Sequence, residues 1–252
     1  MAADSLFPLS RYVERVRVVA PKEGHSCRVD QLPNGRTALI FRVLEQGRRG
    51  DLAVVGPRTR ALLKDATGFV HAVMLELKPG WSSPLLGVVA SELTNQLVLL
   101  DELWGHPAHE LCHDLLHVES VPERLDRFAR AFARRHLALE PASARLARQA
   151  VRLLEREPVR VERLAERLGV TARHLRRAFV ENIGIAPKDF ARSVRLQRAV
   201  HMAATSRDWA RIAVDAGYYD QSHLIADFRD LVGITPGAFL KRVANDSDTE
   251  RP

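Results

Sequence analysis

The 252-residue chain has little cysteine, no long uninterrupted apolar run and none of the short motifs that mark common enzymes. Its two cysteines, Cys27 and Cys112, form neither a CxxC pair nor a disulfide framework, which fits a reducing compartment and a cytoplasmic protein. The most apolar stretch, LLGVVASELTNQLVLL, is broken by Glu92, Asn95 and Gln96 and is too short to span a bilayer, so no membrane partner is expected. The opening MAADSLFPLSRYVER has no basic segment followed by an apolar run, unlike a secretion signal. GxSxG, Walker and dinucleotide fingerprints are missing, as is a paired-carboxylate motif. Enzymes built on those groups are set aside, and neither a catalytic residue nor a cofactor is expected.

What remains is charge, periodicity and repetition. The formal net charge is +7 and the pI about 10.0, unevenly spread: residues 1–140 carry a net +1 and residues 141–252 a net +6. In the second part lysine is nearly missing, with Lys188 and Lys241 standing among arginines. A basic half beside a neutral half suits a polyanion partner, although charge alone fits a merely soluble basic surface equally well.

Residues 25–79 are β-rich. TALIFRVL (37–44), DLAVV (51–55), RALLKD (60–65) and VHAVMLELKP (70–79) are short β-branched or alternating runs between glycine and proline breaks. From Leu97 onward the period becomes helical, in PAHELCHDLLH (107–117), ERLDRFARAFARRHLAL (123–139) and SARLARQAVRLLERE (143–157). The predicted class is α+β. A small antiparallel β-barrel or sandwich occupies residues 1–105, a helical connector 106–140, an all-α domain with two helix-turn-helix motifs 141–244, and a disordered polar tail 245–252.

The two motifs come from an internal repeat. LAERLGVTARHLRRAFVENIGIAPKDF (164–190) aligns with IAVDAGYYDQSHLIADFRDLVGITPGAF (212–239). Gly169 matches Gly217 at an offset of 48, whereas Leu175 and Leu224, Phe179 and Phe228, Gly184 and Gly233, Pro187 and Pro236, and Phe190 and Phe239 match at 49. One residue is therefore inserted in the second turn, after its glycine. Each copy reads as helix, glycine turn, helix. The intervening PKDFARSVRLQRAVHMAATS (187–206) has no breaker, and about 18 helical residues would make a strut of roughly 27 Å. That length suits two reading helices in successive major grooves, roughly 34 Å apart.

Residues 143–243, and above all IAVDAGYYDQSHLIADFRDLVGITP, resemble the AraC/XylS family of transcription regulators. VVGPRTR (54–60), LKPGWSSPLLGV (77–88), ELTNQLVLLDELWG (92–105) and SVPERLDRF (120–128) resemble the short barrel-like N-terminal domain of one subgroup. The resemblance implies double-stranded DNA as partner, RNA polymerase at the promoter, and a small-molecule effector on the N-terminal domain. A second copy of the chain stays open as a partner, although no heptad run supports it.

On the first reading helix Ala172, Leu175, Ala178 and Phe179 point inward, which leaves Arg173, Arg176, Arg177 and Val180 outward. Arginine suits both guanine edges and phosphates, and the resemblance places base contacts at Arg173, Arg176 and Arg177. On the second, Gln221, Ser222, Ile225, Ala226 and Arg229 are read as outward: Gln221 and Ser222 can bond base edges or phosphates, His223 is a helix-start or phosphate residue, and Ile225 faces a thymine methyl. Ala226 stands where the family usually has an arginine, and Asp227 beside it would oppose phosphate approach, so this helix is expected to anchor more than read. Trp81, Pro84 and Leu85 fit either a pocket mouth or a packed edge.

One competing motif remains. HELCH (109–113) matches the HExxH pattern, and His109, His113 and His117 share a helix face near His106. A zinc hydrolase or a metal-responsive regulator is the alternative this stripe offers. A five-residue pattern with two free positions arises readily by chance, and no metal site is expected.

Overall fold

The computed structural model describes residues 9–20, 27–44, 49–135 and 141–247. Its N-terminal part is antiparallel β followed by helices. The strands are β1 (Val13–Val19), β2 (Cys27–Gln31), β3 (Ala38–Leu44), β4 (Arg49–Val55), β5 (Leu62–Ala66), β6 (Phe69–Leu77) and β7 (Leu97–Leu99). Among the described residues they pair as an antiparallel five-stranded sheet, β1-β6-β3-β4-β7, and a separate β2-β5 ribbon, the antiparallel β part expected ahead of the all-α domain.

Alternation explains the main sheet. Leu39, Phe41 and Val43 of β3, Leu52 and Val54 of β4, and Val73, Leu75 and Leu77 of β6 are all buried on one core. Helices α1 (Ser82–Leu86), α2 (Leu100–Trp104), α3 (His106–Leu116) and α4 (Val121–Arg134) contribute Leu85, Trp104, Leu111, Leu115, Phe128 and Phe132 to the same core. The stretch 106–140 was expected to be a connector. Its described helices instead add Leu111, Leu115, Phe128 and Phe132 to the N-terminal core, beside α1 and α2. Trp81 and Leu85 are buried there, with Tyr12 edge-on to Trp81 at 4.9 Å, which makes them packed residues and no pocket mouth. Residues 136–140, at the end of the expected second helix, lie outside the described residues.

The C-terminal part is all helix: α5 (Ala142–Arg156), α6 (Val161–Arg167), α7 (Ala172–Ile183), α8 (Pro187–Ala203), α9 (Trp209–Ala216), α10 (Gln221–Val232) and α11 (Pro236–Ser247). The tail expected from residue 245 begins inside α11, and residues 248–252 lie outside the described residues. Helix α8 spans 17 residues, about 26 Å. Its N-terminal end gives Phe190 to the core of the first unit, and further along it gives Ala199 and Ala203, then Leu196, to two clusters of the second.

Candidate nucleic-acid interface

The two helix-turn-helix units are built from the same parts. Helices α6 and α7 form the first, α9 and α10 the second. Both turn glycines, Gly169 (φ 66°) and Gly217 (φ 93°), adopt the left-handed conformation that disfavours a side chain. The residue after each returns a backbone hydrogen bond to the preceding helix, Val170 N to Ala165 O at 3.0 Å and Tyr218 N to Ala213 O at 2.8 Å. Thr171 caps α7 by accepting from His174 N, and Asp220 caps α10 by accepting from His223 N. The core aromatics also repeat: Phe179 lies against Phe190 at 5.5 Å and 66°, and Phe228 against Phe239 at 5.7 Å and 62°. Homologous residues thus make homologous contacts, which ties the sequence repeat to a repeated fold.

On α7 the expected inward residues Leu175, Ala178 and Phe179 are buried, while Arg173, Arg176, Arg177 and Val180 are exposed. Two of the arginines already hold carboxylates: Arg176 meets Glu162 of α6 at 3.3 Å and Arg177 meets Glu181 at 2.8 Å. Exposed pairs of this kind are worth little, about 0–1 kcal/mol, so a phosphate or guanine can displace them cheaply.

The second helix departs from expectation at two positions. Ile225 is half-buried against the core formed by Ile212, Tyr218 and Leu224, so its outward face is partial. Asp227 does not face solvent at all: it is 7% exposed, accepts from Tyr218 Oη at 3.1 Å and pairs with Arg192 of α8. The residue read as a deterrent to phosphate is a clamp between strut and reading helix. Burial, then the neighbouring Asp227 carboxylate, push the Tyr218 phenol pKa well up, so it stays a donor. Arg192 also reaches Asp230 at 2.5 Å and holds that carboxyl below its usual range. Gln221, Ser222, His223, Ala226 and Arg229 are exposed, and the His223 ring stands edge-on to Tyr218 at 5.3 Å.

Sequence reasoning missed how the reading helices end. The last carbonyls of a helix lack intrahelical donors, and here the N-terminal part supplies them. Ser83 Oγ donates to Glu181 O at 3.2 Å and Thr94 Oγ1 to Gly184 O at 2.7 Å at the end of α7. Ala61 N donates to Leu231 O at 2.7 Å at the end of α10, where Arg60 also meets Asp230 at 3.0 Å. Gln197 of α8 donates to Pro33 O at 2.6 Å, and Arg242 of α11 meets Asp30 of the ribbon at 2.9 Å. Both reading helices are therefore held by their C-terminal ends, which leaves their N-terminal ends uncovered.

The histidines of the stripe lie against one another and against neighbouring carboxylates. His109 lies 3.7 Å from Asp101, Glu110 lies 3.4 Å from His106, and the His113 and His117 rings stack at 4.2 Å. Among the described residues no three His, Cys, Asp or Glu side chains gather as metal ligands. No described helix is long and apolar enough to cross a membrane.

A repeated helix-turn-helix pair on a common strut defines a two-unit DNA-binding domain. Residues 164–242 match a family described as a helix-turn-helix domain, and residues 6–99 match a domain of unknown function, DUF6597. That helix-turn-helix match takes in both turns and the strut between them. Among curated sequences the chain is 30% identical over 92 residues to the HTH-type transcriptional regulator ArgR of Pseudomonas aeruginosa, covering 35% of this chain. It is 29% identical over 85 residues, 33% of this chain, to an uncharacterized HTH-type transcriptional regulator of Haemophilus influenzae. The chain spans 28% of the length of each of these relatives. Solved structures of ToxT from Vibrio cholerae are similar over 90% of this chain and 96–97% of theirs, at 10–11% identity and TM-scores of 0.47 and 0.48. One of them is bound to (E)-4-(8-methylnaphthalen-1-yl)but-3-enoic acid.

Proposed function

We propose that this protein regulates transcription by binding double-stranded DNA with α7 and α10 in successive major grooves. The observation that carries the reading is the duplicated unit itself: two caps, two left-handed turns and two aromatic locks, joined by one strut helix of about 26 Å. Arg173, Arg176 and Arg177 supply base and phosphate contacts from α7, and Gln221, Ser222 and the free N-terminus of α10 anchor the second groove. Ile225, half-buried, offers only an edge to a thymine methyl.

The reading is a binding protein of the cytoplasm and no enzyme, with RNA polymerase as its further partner and a second copy of the chain as an open one. A small-molecule effector would act through the N-terminal domain. The support is positional, since that domain holds both reading helices. A crevice at the junction, bordered by Arg36, Lys78, Ser82 and Asn182, has about 10 Å³, room for one water. An effector entering there has to part the two halves.

The test is selection of duplexes by the full chain from a random pool, followed by a single-base scan. Enrichment of a two-part site is expected, with Arg176→Ala or Arg177→Ala relaxing preference in one part by about 1–3 kcal/mol per base. Failure to enrich any duplex, or binding that does not weaken with salt, would sink the reading.

A further inference from the structure

The two turns differ by one residue, and the structure shows which. Val170 and Tyr218 make the same backbone bond at an offset of 48, while Thr171 and Asp220 make the same cap at 49. The inserted residue is Tyr219. It is 88% exposed, the most exposed large apolar side chain among the described residues. The fold does not need it, because the first unit closes the same turn without it. Nor does the protein cover it: the N-terminal part grips α10 at Asp230 and Leu231, and Tyr219 sits at the other end of a 12-residue helix, about 18 Å away.

The chemistry of the second unit says what an extra phenol there could do. A reading helix enters the groove by its N-terminal residues, so the residue just before the cap stands at the groove edge, beside a phosphate strand. Two cations of this unit are engaged within the protein: Arg192 with Asp227 and Asp230, and Arg195 over the Tyr218 ring at 5.4 Å. We propose that Tyr219 is a DNA-backbone contact of the second unit, its hydroxyl donating to a phosphate and its ring covering the adjacent sugar. The proposal rests on the DNA-binding reading above. It makes the inserted tyrosine the neutral counterpart of the arginines on α7.

Neutrality makes the contact testable. An arginine that leaves a phosphate lowers the salt slope by about 0.9, whereas a lost phenol should not change it. The experiment uses the full chain and a duplex of about three helical turns that the wild type selects from a random pool. Tyr219→Phe should bind roughly ten- to a hundredfold more weakly, as for one hydrogen bond to a charged group, with salt slope and base preferences intact. Tyr219→Ala should bind more weakly still. Deleting Tyr219 should leave the fold intact by circular dichroism and bind no better than the alanine variant. Ethylation of one phosphate in the second half-site should weaken wild-type binding by a comparable factor and have little effect on Tyr219→Phe. If Phe and Ala variants bind within about twofold of wild type while Arg173→Ala weakens binding and lowers the slope, the tyrosine contact is wrong and the DNA reading stands. If Tyr219→Ala relaxes preference at one base pair, the backbone assignment is overturned. If neither the tyrosine nor the arginine variants change binding, the interface itself has been misplaced.

Discussion

Asp227 shows how a single residue can be read correctly for chemistry and wrongly for direction. Its charge is plain in the sequence, and Leu224, Phe228 and Leu231 plainly mark the buried stripe of the same helix. Asp227 lies one position before Phe228 and three after Leu224, on the border of that stripe, so periodicity alone leaves it either way. The deciding partner, Arg192, is 35 residues away on another helix. A buried carboxylate without a partner is costly, and here Arg192 and Tyr218 both serve it. Asp227→Ala should therefore destabilise the chain by about 2–3 kcal/mol in urea denaturation, since it strands a phenol and half of an arginine's bonding. Asp230→Ala, at an exposed site shared by Arg192 and Arg60, should cost clearly less. Equal costs for the two would mean that Asp227 is not the clamp between α8 and α10.

At the scale of elements the repeat made the C-terminal half the most legible part of the chain. Matched glycines, prolines and phenylalanines become matched turns, helix starts and aromatic pairs because each is a local or near-local device. The β-rich half was less legible. Strand β1 escaped notice because its valines are separated by Glu14, Arg15 and Arg17, which read as a polar stretch. Strand β2 has only five residues, too few for a period to show, although its partner β5 was read within RALLKD. The repeat also offers a controlled comparison at the ends of the reading helices. Gly184 and Gly233 have nearly the same left-handed backbone, φ 91° and 83°. A side chain at Gly233 would meet nothing, whereas one at Gly184 would come to 2.5 Å of Pro57 and 2.6 Å of the Ala90 carbonyl. Gly233→Ala should lose about 1 kcal/mol from backbone strain alone. Gly184→Ala should lose at least twice as much, because the Ala90 carbonyl is backbone and cannot swing away. Thermal or chemical unfolding of the two single variants checks this, and equal losses would show that the N-terminal part does not press on the end of α7.

Across the whole molecule, the feature no sequence pattern showed is that one domain finishes the helices of the other. Thr94 reaches Gly184 across 90 residues and Arg60 reaches Asp230 across 170, separations at which no motif or period operates. The physical consequence is geometric. The N-terminal part grips α7 through Ser83 and Thr94 and α10 through Arg60 and Ala61, so the angle and distance between the two reading helices are fixed by three bodies: strut, first grip and second grip. Asp230 is held below its usual carboxylate range by Arg192 and, more weakly, by Arg60. Its pairing is thus fully present above about pH 4 and is lost as pH falls further. At neutral pH the grip can be loosened by substitution instead, with Arg60→Ala and Thr94→Ala together. Neither residue is on a reading face, so affinity for a duplex of ideal spacing should stay within a few-fold of wild type. Spacing tolerance should change. One base pair added between the half-sites turns the second by roughly 35° and moves it by about 3.4 Å, which a rigid pair of helices cannot follow. The wild type should lose most of its two-site affinity on that duplex, and the double variant should lose clearly less. Measuring both proteins on duplexes with the ideal spacing and with one pair added or removed decides the matter. If the double variant is as intolerant as the wild type, the strut alone sets the geometry and the N-terminal grip has no part in it.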